Sequence, residues 1–326
     1  YGHCDDCKNL QKWNDIFNME NGISEEVFWY RWQQNNSGSI EKIQKMATLQ
    51  QAIMELKRLA PEFIIHAFIK EQQSVYFQQK ICYPLKNEAI IQVDYSENYT
   101  LKQQDEVQSA HWNNDQVAIY TAVVWMYGTS VSFRPTLITD YLSHDKYSTH
   151  FFNGVIINTI LHKYGKNIQK IEFFSDGAAQ HFKQCFTLCS ITLRRDIKIC
   201  WNFFATSHGK GAMDGIGSLL KHLVWNRVHS RSVVVNTAED FAECGANVMK
   251  QTNVIYVPRQ KVEAVYKKLD DMCKDISPIS QVRCYHHFST VSPYAVKYKL
   301  VSTDSEEKVH RFRNVRTEKS EDICTN

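Results

Sequence analysis

Three aspartates stand where a metal-dependent enzyme of nucleic-acid chemistry would place carboxylates. Asp94 ends one short apolar run, Asp176 ends another, and Asp214 lies in a glycine-containing turn just ahead of a helical run. Short apolar runs bounded by polar residues are typical of buried strands. The pattern therefore predicts two acids at strand ends and a third at the start of a helix. Mg²⁺ prefers oxygen ligands and keeps several waters, so three carboxylates suffice for two ions.

Two ions ~3.5–4 Å apart would stabilise both the attacking and the leaving oxygen of an in-line displacement. The segment between Asp94 and Asp176 is long enough for two strands, a helix and a further strand. The shorter segment between Asp176 and Asp214 is long enough for a helix, a strand and a turn. Any one of these acids alone is more typical of a cap or a loop. Their order and spacing together favour phosphodiester chemistry, with water or a DNA 3′-hydroxyl as the nucleophile.

Basic residues are concentrated around the third aspartate, although the net charge of the whole chain is only +3. Between His181 and Arg231 there are eight Lys or Arg residues against two acids. A local basic face beside acids suits a phosphate backbone held over metal ions. A solvated helix face would give the same composition. The candidate nucleic-acid contacts are Lys183, Lys210, Lys221 and Arg227.

Three further polar residues are candidate auxiliaries of the aspartates. Glu97 lies close to Asp94 in sequence, and a surface acid is the alternative interpretation. His208 and Lys210 precede Asp214 by six and four residues, where they could hold a phosphate or the attacking water. The alternative is a glycine-rich connector, and the phosphate-binding loop pattern is not met here.

A separate metal site is indicated at the start of the chain. Cys4 and Cys7 form a CxxC pair, which is a common half of a zinc site. Cys284 with His286 or His287 could supply the other half once the chain folds. A pair of free thiols near the terminus is the alternative.

The hydrophobic pattern predicts three parts. Residues 1–85 are expected to form a helical accessory domain, with helices at 25–32 and from residue 40 onward. Residues 86–232 are expected to form the catalytic domain, and residues 233–326 a small α+β region with a polar tail. The central part is predicted to contain strands at 89–95, 117–127, 130–139, 169–175 and 197–205, and helices at about 148–164, 182–194 and 214–229. Three strands followed by alternating helix and strand predict a mixed α/β sheet flanked by helices.

The composition indicates a folded protein with a hydrophobic core. The chain has 326 residues, of which 43% are hydrophobic, so it can bury a full core. Ten scattered cysteines favour an intracellular, reducing compartment over a disulfide scaffold. No uninterrupted apolar run approaches ~18 residues, so no membrane partner is expected. The first residue is Tyr1, which favours a piece of a longer chain.

Four blocks resemble a known group of sequences; they are residues 93–99, 106–112, 174–183 and 203–217. They are similar to transposon-derived animal proteins that are related to the DDE/D transposases. The resemblance implies a ribonuclease-H-like fold with a five-stranded mixed sheet, and a triad of Asp94, Asp176 and Asp214 binding two Mg²⁺ or Mn²⁺ ions. It also implies transposon-end and target DNA as partners, a homo-oligomer and a nuclear location. A domesticated relative that binds without cutting, and a cellular ribonuclease on the same fold, are the alternatives.

Overall fold

A computed structural model describes residues 24–102, 115–128, 133–164, 167–209 and 211–316. The chain divides into two compact units, Tyr1–Ile69 and Lys70–Asn326. The first contains strands β1 (Glu26–Gln34) and β2 (Ile40–Thr48), and helix α1 (Leu49–Cys82) begins there and continues into the second unit.

The helices predicted at 25–32 and from residue 40 to 48 are wrong, because both segments are strands of an antiparallel hairpin. Exposed and half-buried side chains alternate along β1, as they do in a strand with one sheltered face. Aromatic residues dominate β1 and favour this conformation. The turn is closed by Asn35, whose side chain accepts hydrogen bonds from the backbone of Ser37 and Ser39, and by Gly38 at φ 86°.

The second unit is built on one mixed sheet of nine strands. Its strands are β3 (Glu88–Thr100), β4 (Gln116–Met126), β5 (Pro135–Thr139), β6 (Lys170–Ser175), β7 (Lys198–Phe203), β8 (Asn253–Tyr256), β9 (His287–Ser292), β10 (Ala295–Lys299) and β11 (Lys308–Arg311). Its further helices are α2 (Lys146–Tyr164), α3 (Cys185–Ser190), α4 (Ala212–His229), α5 (Ala238–Val248) and α6 (Arg259–Cys273). The mixed α/β class predicted from the sequence is confirmed.

The order across the sheet is β11-β10-β9-β7-β6-β3-β4-β5-β8. Strands β3, β6 and β7 are parallel neighbours, whereas β4 is antiparallel to both β3 and β5. The five central strands were predicted, although β3 extends to Thr100, beyond its predicted end at residue 95, and β5 begins at Pro135, later than predicted. The predicted region 233–326 adds four strands to the same sheet, since β8 pairs with β5 and β9 pairs with β7. The helix predicted at 182–194 is shorter, because α3 gives way to a 3₁₀ turn at Ile191–Leu193.

Two apolar layers cover the sheet. Helices α2, α3 and α6 pack on one face, with Ile91 and Val93 of β3 beneath them. Helices α4 and α5 and the end of α1 pack on the other face, with Ile90 beneath them. Since side chains alternate along a strand, Gln92 and Asp94 project towards this second face. None of the described helices is long and apolar enough to cross a membrane.

Candidate functional site

The register of the sheet places Asp94 and Asp176 side by side. Strands β3 and β6 pair in parallel from Glu88 opposite Lys170 to Gln92 opposite Phe174, with a constant difference between the numbers of paired residues. The numbers of Asp94 and Asp176 differ by the same amount, so the two acids hold equivalent positions just beyond the last pair. Neighbouring strands lie about 4.8 Å apart. Both aspartates therefore stand on one face of the sheet, at the edge where β3 and β6 separate.

Asp94 does not end its strand as predicted. Strand β3 continues to Thr100 beside β4, with Asp94 opposite Thr121. The Thr121 hydroxyl donates to the Asp94 carbonyl over 3.1 Å, which ties the two strands together at this point. Asp176 directly follows β6 and is half-buried.

A glycine brings the turn after β7 onto Asp176. A Cβ atom on Gly209 would lie 2.9 Å from the Asp176 Cβ and 3.3 Å from its Cα. No side chain fits in that space, so a glycine is required for the close approach. Ser207, two residues earlier, has a left-handed backbone with φ 64°, which turns the chain back towards the sheet.

The third aspartate reaches the same region from helix α4. Asp214 lies in the first turn, where its Oδ2 accepts a hydrogen bond of 3.1 Å from the Gly211 backbone amide. A Cβ on Gly211 would lie 3.0 Å from Gln92 Nε2, and one on Gly217 would lie 1.8 Å from Ser96 Oγ. The first turns of α4 therefore rest directly on the part of β3 that carries Asp94.

The three carboxylates interact electrostatically. Burial, the charge of Asp176 and a smaller effect of Asp214 together raise the pKa of Asp94 to about 7. The Tyr95 backbone amide donates to Asp94 Oδ1 over 2.8 Å and opposes the rise. Like charges held this close favour protonation or the binding of a cation. Across the described ranges, no group of three or more His, Cys, Asp or Glu side chains could hold a metal ion as it stands.

Two histidines that the sequence did not single out lie behind the aspartates. The ring of Tyr95 stacks on His144 at 4.2 Å and meets His181 edge-on at 5.0 Å. Burial lowers the pKa of His181, and the charge of Asp176 opposes that shift. Within the described part of the chain, the buried Nδ1 of His181 has no hydrogen-bond partner. In the sequence, the feature that links His181 to the site is its position five residues after Asp176.

The predicted nucleic-acid contacts have different surroundings. Lys183 is buried at 4% exposure, and its amine donates to the Arg283 carbonyl over 2.7 Å. Burial lowers the pKa of this amine to about 7. The nucleic-acid contact predicted for Lys183 does not agree with this buried position. The stem of the lysine side chain packs beside Gly177, and its amine lies over the ring of Phe203.

Lys221 and Arg227 lie on α4. Lys221 is half-buried and donates to the Glu97 carbonyl over 3.4 Å, while Arg227 is exposed. The Glu97 side chain is exposed in the irregular part of β3. His208 is exposed, and its backbone amide donates to the Ala205 carbonyl. Lys210 lies outside the described residues.

The candidate zinc ligands are not gathered into one site by the described structure. Cys284 is exposed. His286 is buried, with Nδ1 3.0 Å from the Phe203 carbonyl and Nε2 3.4 Å from the Lys183 amine. His287 Nδ1 lies 2.7 Å from Asn202 Oδ1.

Burial and nearby lysines lower the pKa of His287 to about 3. Cys4 and Cys7, the other half of the predicted zinc site, lie outside the described residues. Zinc binding stays a prediction.

The fold and site define an α/β protein with a nine-stranded mixed sheet and three aspartates at the edge where two parallel strands separate. The chain belongs to the family described as "Domain of unknown function (DUF8701)", whose model matches residues 73–302. This match includes all three aspartates and the strands and helix that carry them. No curated protein and no solved structure matches the chain.

Proposed function

We propose that this protein is a metal-dependent polynucleotidyl transferase, with Asp94, Asp176 and Asp214 as its catalytic triad and DNA as its substrate. The observation that carries the proposal is the register of β3 and β6. It sets Asp94 of β3 at the position equivalent to that of Asp176, just after β6, on the face against which the helix of the third aspartate packs.

The topology supports the same assignment. The strands β5-β4-β3-β6-β7 form an antiparallel meander followed by parallel crossovers. The resemblance to transposases implies a ribonuclease-H-like fold, and this strand order is compatible with it. A fold hosts many activities, so the argument for chemistry depends on the aspartates themselves.

The donor set suits Mg²⁺ or Mn²⁺. Each of the three carboxylates accepts one backbone amide hydrogen bond, from Tyr95, Ala178 and Gly211 respectively. These bonds orient the side chains, and a carboxylate has acceptor positions beyond one bond. Two bound ions would supply charge stabilisation to the attacking and leaving oxygens. Burial and, to a smaller extent, the charges of Asp176 and Asp214 raise the pKa of Asp94, and bound cations would offset the repulsion between these charges.

Each element of the chain has a separate task in this proposal. Strands β3 and β6 hold the first two carboxylates at a distance set by the sheet. Helix α4 positions the third, which is exposed at the helix start, so it can approach a substrate-bound ion. Lys221 and Arg227 on α4 would contact the phosphate backbone. A DNA substrate implies a nuclear location, and strand transfer would involve a homo-oligomer.

A non-cleaving relative that binds DNA or protein is the second candidate. It is favoured by the finding that no three of the described His, Cys, Asp or Glu side chains form a ready-made metal site. A cellular ribonuclease with the same triad differs only in its substrate.

The test is cleavage of labelled nucleic acid by the purified chain in Mn²⁺. Asp176→Asn removes a triad charge, and Asp271→Asn, on the exposed side of α6, is the matched control. Cleavage of duplex DNA by wild type and control that is lost in Asp176→Asn supports the proposal. Cleavage of RNA–DNA hybrid alone indicates a ribonuclease. Duplex binding without cleavage in either Mn²⁺ or Mg²⁺ indicates the non-cleaving relative.

A further inference from the structure

Three aromatic rings form a row on the outer side of helix α4. His222 and Trp225 are near-parallel at 19° with centroids 6.4 Å apart, and Trp225 and His229 are parallel to within 7° at 4.8 Å. Trp225 is 39% exposed, and both histidines are exposed. None of the three was singled out by the sequence, since aromatic residues on a helix usually belong to the core.

We propose that this row of rings, with Trp225 at its centre, is a stacking platform for a base of the nucleic-acid strand that crosses the three aspartates. This inference rests on the proposed function and names the form of substrate the site takes, which is a strand with an unpaired base. Base–aromatic stacking is tolerant of sequence, because every base has a π-face.

The helix aligns the platform with Asp214. Trp225 follows Asp214 by eleven residues, which is about three turns and a rotation of about 20°. Ser218 and Lys221 fall between them on the same stripe of the helix. The axial distance is about 16 Å. The stacked base would therefore lie several nucleotides from the reacting phosphate.

The charge of this face indicates a nucleic acid rather than another apolar surface. Between residues 212 and 232 the cations are Lys221, Arg227 and Arg231, and the single acid is Asp214. Asp214 belongs to the triad at the start of the helix. Lys221 lies on the same stripe as Trp225, whereas Arg227 follows Trp225 by two residues and lies on the opposite side of the helix. Beyond the first turn the stripe therefore combines a lysine with aromatic rings, as single-strand binding grooves combine positive charge with stacking rings.

The test is the affinity of the full chain for a fluorescein-labelled single-stranded DNA, measured by anisotropy in metal-free buffer so that no cleavage occurs. Trp225→Ala is expected to weaken binding about tenfold, from the magnitude of base–aromatic stacking. Trp225→Phe should retain most of the affinity. Tyr127→Ala is the control: this aromatic residue is 58% exposed in the turn after β4, at the end of β4 that pairs with the start of β3.

Equal affinities of Trp225→Ala and wild type would overturn the inference, as would an equal loss in Tyr127→Ala. A matched RNA oligonucleotide and a fully paired duplex are measured beside the single strand. A Trp225 effect as large on the blunt duplex as on the single strand would also contradict stacking of an unpaired base.

Failure of the proposed function gives a different result. If no metal supports cleavage while Trp225-dependent binding persists, the nuclease assignment fails and the platform stands. If cleavage depends on Asp176 while Trp225→Ala binds as wild type does, the platform alone fails.

Discussion

Asp94→Asn tests the electrostatics of the site independently of any catalytic assay. Burial and the charges of Asp176 and Asp214 raise the pKa of Asp94 to about 7 in the folded chain, from 3.8 for an unperturbed group. Asparagine has nearly the same shape, and its side-chain oxygen can still accept the Tyr95 amide. The substitution therefore removes mainly the charge.

The sign and size of the effect follow from linkage. Between about pH 4 and pH 7 the folded state keeps a proton that the unfolded state has released, so the stability due to this group is present at low pH and lost as the pH rises through 7. The difference between the folded and unfolded pKa values corresponds to about 4 kcal/mol as an upper bound. Without divalent ions, Asp94→Asn should thus be more stable than wild type by up to this amount at pH 8, and nearly equal to it at pH 4.

Urea unfolding of both proteins at the two pH values measures this difference. Mg²⁺ should then stabilise wild type at pH 8 but leave Asp94→Asn nearly unchanged, because a ligand that binds only the folded state raises its stability. Asp271→Asn is the control for removing an exposed charge. A stability difference between Asp94→Asn and wild type that is the same at both pH values would refute the reasoning.

Two further substitutions test the supports of the site. Gly209→Ala should displace the turn after β7 and lower Mn²⁺-dependent cleavage, because the added Cβ would lie 2.9 Å from the Asp176 Cβ. The control is Gly215→Ala, whose Cβ meets nothing within 4 Å and which should raise thermal stability slightly. If both glycine variants cleave equally, the close approach does not matter. Glu172→Gln should cost about 3–5 kcal/mol in urea unfolding, because Glu172 is fully buried and paired with Lys80 at 2.8 Å and with Lys170. A loss below about 1 kcal/mol would show that the lysines find other partners.

The sequence predicted the central elements of the sheet well because their apolar runs are long and bounded by polar residues. It failed in the hairpin at 26–48 for a definite reason. Ile43 and Ala47 are four residues apart, and a spacing of four puts two residues on one face in a helix and also in a strand. In β1 the consecutive apolar residues 27–30 conceal the strand period, because Phe28, Tyr30 and Trp32 are all exposed on one side.

At the other end of the sheet, two buried glutamates pair with two lysines, and this network could not be predicted from the sequence. Glu88 and Glu172 are both buried, yet nothing in their local sequence distinguishes them from surface acids. Their partner Lys80 arrives from the end of α1, and Lys170 from the start of β6. Burial of a charge depends on which helix covers the strand, and that is a property of the tertiary fold.

The spacing of Asp94 and Asp176 shows where sequence reasoning about the site has to stop. The interval between the two acids is visible in the sequence, and it allows them to lie on neighbouring strands. The interval brings the two acids side by side only when β3 and β6 pair in a register whose offset equals that interval. A shift of one residue would carry one carboxylate to the opposite face. The close approach of Gly209 to Asp176 and the packing of Gly217 on Ser96 hold the third acid to that register, so the site depends on pairings between segments distant in sequence.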